Sequence, residues 1–162
     1  MSYSICSTVT GSSSGFGRGI VEIALKNGEK VIATLRRTSD LDDLKIKYSA
    51  SQLLISQLDV TKPDDIARVF HQAKEAFGKV DVVVNNAGFM TVDEVEDTPD
   101  DVARNMFEVN FWGAANVNRE AVRFFREENA PGTDGWLLNI SSIVGVQPVP
   151  VIGYYSASKA GK

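Results

Sequence analysis

Short apolar runs alternate with segments of helical periodicity along this chain. Runs typical of buried strands lie near residues 3–10, 30–35, 53–58, 80–85 and 135–141. A segment with helical signals separates each run from the next, and the chain contains no internal repeat. Strands that alternate with helices predict an α/β fold, in which a doubly wound parallel sheet forms the middle of three layers.

Two of the helical segments have clear patterns. In residues 61–77, Thr61 is expected to cap the helix, and a stripe of apolar residues predicts one buried face. The second stretch runs from about residue 98 to residue 128, with a break near Asn110. Residues 40–48 predict a short additional helix.

Length and charge limit the kinds of protein this can be. With 162 residues the chain is long enough for one domain, residues 1–162. Seventeen Lys and Arg against 21 Asp and Glu leave a net charge of −4 with both signs mixed, so nucleic acid is an unexpected partner. No run approaches a membrane span, and Cys6, the one cysteine, predicts a buried thiol. We therefore expect a cytoplasmic protein without a membrane partner.

A glycine-rich loop follows the first predicted strand and opens a helix. Its sequence is Thr10-Gly11-Ser12-Ser13-Ser14-Gly15-Phe16-Gly17. Backbone amides exposed by missing side chains can approach a pyrophosphate at the positive end of a helix. No Lys-Ser or Lys-Thr pair follows, so the loop is not of the ATPase type. The alternative is a tight strand-to-helix turn without a ligand.

The end of the second strand bears on the choice of nucleotide. About 20 residues after such a loop, an acidic residue selects NAD by accepting hydrogen bonds from the ribose hydroxyl. Here Leu35 is followed by Arg36 and Arg37, which favours NADP over NAD because a guanidinium can hold a 2′-phosphate. The alternative is that both arginines are merely solvated. Asp59 could accept from an adenine amino group or form a turn.

Tyr155 and Lys159 are four residues apart, so on a helix they share one face. A phenol needs electrostatic help for acid-base work near neutral pH, and a nearby ammonium supplies it. Ser142, 13 residues before Tyr155, could polarise a substrate carbonyl or hydroxyl. By itself, a Tyr and Lys pair at this spacing is more often part of an ordinary amphipathic helix face, and it gains weight only from the other motifs.

Taken together, the loop, Asn85-Asn86-Ala87-Gly88, Asn110, Ser142 and the Tyr155 to Lys159 pair resemble the short-chain dehydrogenase/reductase family. The similarity runs across essentially the whole chain. It implies a Rossmann-like fold and an oxidoreductase that moves hydride between NADPH and a small-molecule carbonyl or alcohol.

The resemblance also implies roles for individual residues. Tyr155 would be the general acid-base group, Lys159 would hold the nicotinamide ribose and lower the tyrosine pKa, and Ser142 would stabilise the reacting oxygen. Asn110 would anchor a water linked to Lys159. No metal is implied. The residues expected to contact the cofactor are Gly11, Ser14, Gly15, Phe16, Gly17, Arg36, Asp59, Val60, Asn86, Ala87, Gly88, Tyr155 and Lys159.

The length departs from the family pattern, since members run to roughly 250 residues and this chain ends at Lys162. We therefore expect the last strands of the usual fold to be missing and the fifth strand to be an exposed edge open to association, for example as a homo-oligomer. This leaves a second hypothesis, a nucleotide-binding or interaction protein with weak or no turnover.

Overall fold

The computed structural model describes residues 4–162 and places five strands in one parallel sheet. The strands are β1 (Cys6–Thr10), β2 (Lys30–Leu35), β3 (Leu53–Gln57), β4 (Val82–Asn85) and β5 (Trp136–Asn139). Their order in the sheet is β3-β2-β1-β4-β5, with every neighbouring pair parallel. The predicted α/β class and parallel sheet are confirmed.

Helices occupy the segments between the strands, and the predicted break near Asn110 is present. It is a π-helical segment, Glu108–Gly113, which separates two α-helices that otherwise continue one another. A 3₁₀ turn, Thr38–Leu41, precedes the short second helix. The α-helices are α1 (Gly15–Lys26), α2 (Asp42–Lys47), α3 (Pro63–Phe77), α4 (Asp100–Phe107), α5 (Ala114–Glu127) and α6 (Gly153–Ala160).

Each face of the sheet carries its own apolar core. Alternate side chains of a strand point to opposite faces, so Val9 packs with α1 and α2, whereas Cys6 packs with α3 and α5. Burial, followed by the Asp81 carboxylate, raises the pKa of the Cys6 thiol to about 12. The thiol is therefore protonated and behaves as a small apolar group, which confirms the prediction from the sequence.

The expectation that Thr61 caps α3 is wrong. The helix begins at Pro63, a residue suited to a first turn because it has no amide hydrogen to satisfy. Thr61 instead donates from its backbone amide and its hydroxyl to Asp59 Oδ1, at 3.0 and 2.7 Å. Asp59 thus closes a turn after β3, one of the two readings that the sequence left open.

The sheet has a crevice at the point where its strand order reverses. From β1 the chain proceeds outward to β2 and β3, and then returns to the other side of β1 as β4. In open parallel sheets the carboxyl ends of the strands at such a point face a crevice where ligands bind. β5 forms the edge beyond β4, with the Trp136 side chain largely exposed.

Candidate functional site

The loop between β1 and α1 has a conformation that depends on glycine. Gly11 and Gly15 adopt positive φ angles of 67° and 54°, which side chains disfavour. The loop is fixed because Ser12 donates its amide to Thr34 O and its hydroxyl to Val9 O. Ser14 precedes α1 without a side-chain capping bond, and the first turn carries no acidic residue. The first amides of α1 are therefore available to an anionic ligand.

Gly17 lies where no side chain fits. A Cβ at this position would lie 2.3 Å from Gly11 O and 2.6 Å from Asn86 Nδ2. Asn86 is held there because its Nδ2 donates to Thr10 O at 2.9 Å and to Gly11 O at 3.2 Å. The backbone amides of Asn86 and Ala87 both donate to Thr10 Oγ1 at 2.9 Å. The loop and the end of β4 are thus one connected unit.

A cleft of about 380 Å³ opens above this unit. It gathers most of the residues predicted to contact a cofactor, whereas Gly17 lies buried beneath it. The sequence did not single out Asn105 or Val109, which line the cleft from α4 and the π-helical segment. The predicted residues that line it are Gly11, Ser14, Gly15, Phe16, Arg36, Asp59, Val60, Asn86, Ala87 and Gly88.

The two arginines after β2 have different surroundings. Arg37 Nε lies 2.5 Å from Asp40 Oδ1, so its charge is already paired. Arg36 lines the cleft, and within residues 4–162 its guanidinium forms no ion pair. The side chain of Leu35 is turned into the core. Arg36, an arginine without an ion-pair partner among the described residues, therefore lines the cleft.

Asn110 connects three segments at the inner end of the cleft. Its side chain is fully buried in the π-helical segment. The amide nitrogen donates to Phe89 O at 2.8 Å and to Ser158 Oγ at 3.1 Å, while its oxygen accepts from Phe89 N at 3.0 Å. Asn110 thus ties the segment after β4 to helix α6. A single-turn π segment of this kind often marks a functional position.

Lys159 and Tyr155 lie together on α6. Lys159 Nζ lies 5.6 Å from the centre of the Tyr155 ring and donates to Ile140 O at 3.1 Å. A Cβ built on Gly88 would lie 2.9 Å from Asn110 Oδ1 and 3.5 Å from Lys159 Nζ. Gly88, which lines the cleft, therefore packs directly against Asn110 and Lys159, while Tyr155 and Lys159 themselves lie outside the cleft lining.

The two serines after β5 are used differently. Ser141 donates its hydroxyl to Lys159 O at 3.3 Å, which ties it to the backbone of α6. Ser142 caps a 3₁₀ turn, Ile143–Gly145, and its Oγ accepts from Val144 N at 3.5 Å. The Ser142 hydroxyl hydrogen remains available to a substrate oxygen, since Oγ acts as an acceptor in that contact.

Sequence reasoning missed Lys162, which lies beside Lys159. Its Nζ donates to Asn85 O at 3.4 Å. Burial, followed by the charge of Lys159, lowers the pKa of Lys162 to about 8. Burial also lowers the pKa of Lys159, but a hydrogen bond to Lys162 opposes that effect. The same bond lowers the pKa of Lys162, so Lys159 donates in it and Lys162 accepts. Lys162 lies beyond α6, which ends at Ala160, so helix spacing does not predict this pair and the sequence carries no other signal for it.

The residues of the cleft fit a dinucleotide. The uncapped first turn of α1 suits a pyrophosphate, and the cleft lined by the glycine loop provides the space for it. Together with the parallel sheet, this cleft defines a nucleotide-binding α/β protein of the Rossmann type.

The model of the short chain dehydrogenase family matches residues 6–162. The chain belongs to the short-chain dehydrogenase family, as its resemblance indicated. An uncharacterized oxidoreductase of Schizosaccharomyces pombe is 40% identical over 151 residues, which cover 93% of this chain and 49% of that protein. The chain spans about half the length of the curated relatives it matches.

Solved structures share the fold. The crystal structure of a short-chain dehydrogenase from Streptomyces avermitilis has a TM-score of 0.89 and 38% identity, covering 98% of this chain and 57% of that one. A 3-ketoacyl-(acyl-carrier-protein) reductase from Brucella melitensis, complexed with NADH, has a TM-score of 0.89 and 28% identity, covering 96% and 64%. The Rossmann-like fold is therefore confirmed.

No membrane-spanning helix and no cluster of metal ligands occur within residues 4–162. No helix there combines the length and apolarity needed to cross a bilayer. That same part of the chain has no group of three or more His, Cys, Asp or Glu side chains that could hold a metal ion.

The shifted pKa of Lys162 predicts a dependence of stability on pH. The folded-state pKa of about 8 lies below the ordinary lysine value of 10.5. Below pH 8 the half-buried Lys162 ammonium lowers the stability of the fold by the full amount. Between pH 8 and 10.5 this penalty fades, because the unfolded chain binds more protons than the folded one. We expect Lys162→Met to raise the melting temperature at pH 7 by about 2–4 °C.

The gain in melting temperature of Lys162→Met should shrink as the pH approaches 10.5. Thermal unfolding in matched buffers measures this change. Lys26→Met is the control, because Lys26 is an exposed residue at the end of α1. A melting-temperature difference for Lys162→Met that stays constant from pH 7 to pH 10 would contradict the assigned shift.

Proposed function

We propose that residues 1–162 form a single NAD(P)-binding domain, and that the protein is an NADP(H)-dependent oxidoreductase acting on a small-molecule carbonyl or alcohol. The observation that carries this proposal is the continuity of one cleft. It begins at the glycine loop and ends at Gly88, beside Asn110 and Lys159. A nucleotide laid along it would present its reactive end to the Tyr155 region, while its pyrophosphate lies at α1.

A nicotinamide bound in this cleft would supply or accept the hydride that is exchanged with the substrate carbon. Tyr155 donates a proton to the carbonyl oxygen during reduction and removes it during oxidation. The ammonium of Lys159, close to the Tyr155 ring, stabilises the phenolate that remains. Ser142 donates a hydrogen bond to the same oxygen. Tyr155 and Ser142 thus act on the substrate oxygen, and Lys159 acts on the oxygen of Tyr155.

Arg36 supports NADP as the preferred nucleotide. A 2′-phosphate near the end of β2 needs a cation that is not already paired, and Arg36 meets this condition while Arg37 is paired with Asp40. The buried Leu35 provides no carboxylate that would repel a phosphate. A guanidinium can also donate two parallel hydrogen bonds to a phosphate.

Arg36→Asp is expected to weaken NADPH binding by about 10- to 100-fold, the loss expected for charge-assisted hydrogen bonds. NADH binding should change little, so the ratio of the two Kd values reports the preference. Arg37→Asp is the matched control, since the side chain of Arg37 is engaged by Asp40. Equal effects of the two substitutions on that ratio would argue against the role of Arg36.

Tyr155→Phe separates binding from chemistry. We expect the Kd for NADPH to stay within about twofold of the unmodified protein, while NADPH oxidation with a panel of aldehydes and ketones falls by about 10²- to 10⁴-fold. The neighbouring Tyr154→Phe should leave both quantities nearly unchanged. Turnover that survives Tyr155→Phe would refute the proposed proton transfer.

Measuring NADPH binding and NADPH oxidation separately also tests the second hypothesis, a nucleotide-binding or interaction protein with weak or no turnover. Its structural support is the edge strand β5, where Trp136 and Leu138 are 72% and 45% exposed. NADPH binding by the unmodified chain without oxidation of NADPH by any carbonyl would favour a nucleotide-binding protein over an oxidoreductase.

A further inference from the structure

Val151 has a backbone conformation that its side chain disfavours. Its φ angle is 61°, and among residues 4–162 it is the one non-glycine residue with a positive φ. A side chain branched at Cβ crowds the following carbonyl in this left-handed region, so such a residue is a genuine outlier. Strain of this kind persists only where surrounding contacts hold the backbone in place.

The strained residue belongs to a turn that leads into α6. Pro150 and Val151 form the turn, and α6 begins two residues later at Gly153. Proline followed by a left-handed residue is the pattern of a type II turn, in which glycine or asparagine ordinarily takes the second of these places. Valine therefore occupies a position whose backbone conformation favours glycine or asparagine.

A contact across two loops holds the turn. The backbone amide of Asp93 donates to Val151 O at 2.7 Å. Close by, a Cβ built on Gly153 would lie 2.6 Å from Val95 Cγ2, so the two segments touch. The segment after β4, residues 89–98, therefore lies directly against the start of α6.

The same segment is attached to α6 at a second point. Phe89 exchanges two hydrogen bonds with the Asn110 side chain, which also donates to Ser158 Oγ. Ser158 in turn donates to Tyr155 O at 2.8 Å. Tyr155 thus lies on the part of α6 between the Asn110 attachment and the Val151 attachment.

We propose that Val151 is a positioning residue for Tyr155. Its left-handed backbone aims its carbonyl at the Asp93 amide, and this bond fixes the start of α6 against residues 89–98. The inference rests on the proposed function only where it assigns proton transfer to Tyr155, since the contact itself can be tested without a substrate.

The first test replaces the side chain and keeps the backbone. Asparagine tolerates the left-handed region, so Val151→Asn should raise the melting temperature by about 2–4 °C through relief of strain. Val149→Asn is the matched control, since Val149 is a similarly exposed valine of the same loop without a positive φ. Equal shifts for both variants would overturn the proposal.

The second test follows the contact by amide hydrogen exchange. We expect the Asp93 amide to be protected by at least about 100-fold in the unmodified protein and in Val151→Asn. Val151→Pro, which fixes φ near −65°, should abolish that protection. An Asp93 amide that exchanges freely in the unmodified protein would overturn the proposal even if Val151→Pro fails to fold.

The third test measures the effect of Val151 on the rate of NADPH oxidation. Val151→Pro should lower kcat for NADPH oxidation by about 100-fold, the cost of a misplaced group, with the Kd for NADPH unchanged. Val151→Asn should keep kcat within about twofold. A folded Val151→Pro variant with normal kcat would refute the positioning role. If the unmodified protein binds no NADPH, the proposed function fails. The melting and exchange measurements still test whether the Asp93 amide bonds to Val151 O.

Discussion

The site depends on the bonds that join the carboxyl ends of β1 and β4. Thr10 accepts two backbone amides from the β4 side, and Asn86 donates its side-chain amide back to the glycine loop. Because Thr10 is almost fully buried, these bonds are made away from competing water. They hold the glycine loop and Asn86 so close to Gly17 that this residue has no space for a side chain. The cleft and the exposed first turn of α1 follow from that constraint.

The second part of the site depends on the π-helical segment between α4 and α5. It brings the buried amide of Asn110 to a point where it reaches both Phe89 and Ser158. Gly88 lies beside this amide and beside Lys159, so the nucleotide cleft and the Tyr155 region share one wall. The proposed nucleotide binding and the proposed proton transfer would therefore depend on the same backbone segment after β4.

Much of this arrangement could be predicted from the sequence, because strand ends, glycines and helix spacing constrain it strongly. The glycine loop, Asn86 and Gly88 follow predicted strands, and parallel strands bring their ends to one edge of the sheet. The role of Thr61 was mispredicted because its hydroxyl could satisfy either helix amides or the Asp59 carboxylate, and local pattern does not distinguish them. Val151 could not be found, since valine strongly favours extended backbone and only the contact with Asp93 explains its conformation.

Calorimetric titration with NADPH shows whether the glycine loop that leads into Gly17 binds a dinucleotide. We expect saturable binding of one NADPH per chain, weakened at least about 100-fold by Gly17→Ala, whose Cβ would collide with Gly11 O. Gly19→Ala on the same helix, where a Cβ meets nothing within 4 Å, should bind as the unmodified chain does. An absence of binding, or a folded Gly17→Ala variant that binds NADPH equally well, would show that the glycine loop is not the nucleotide site.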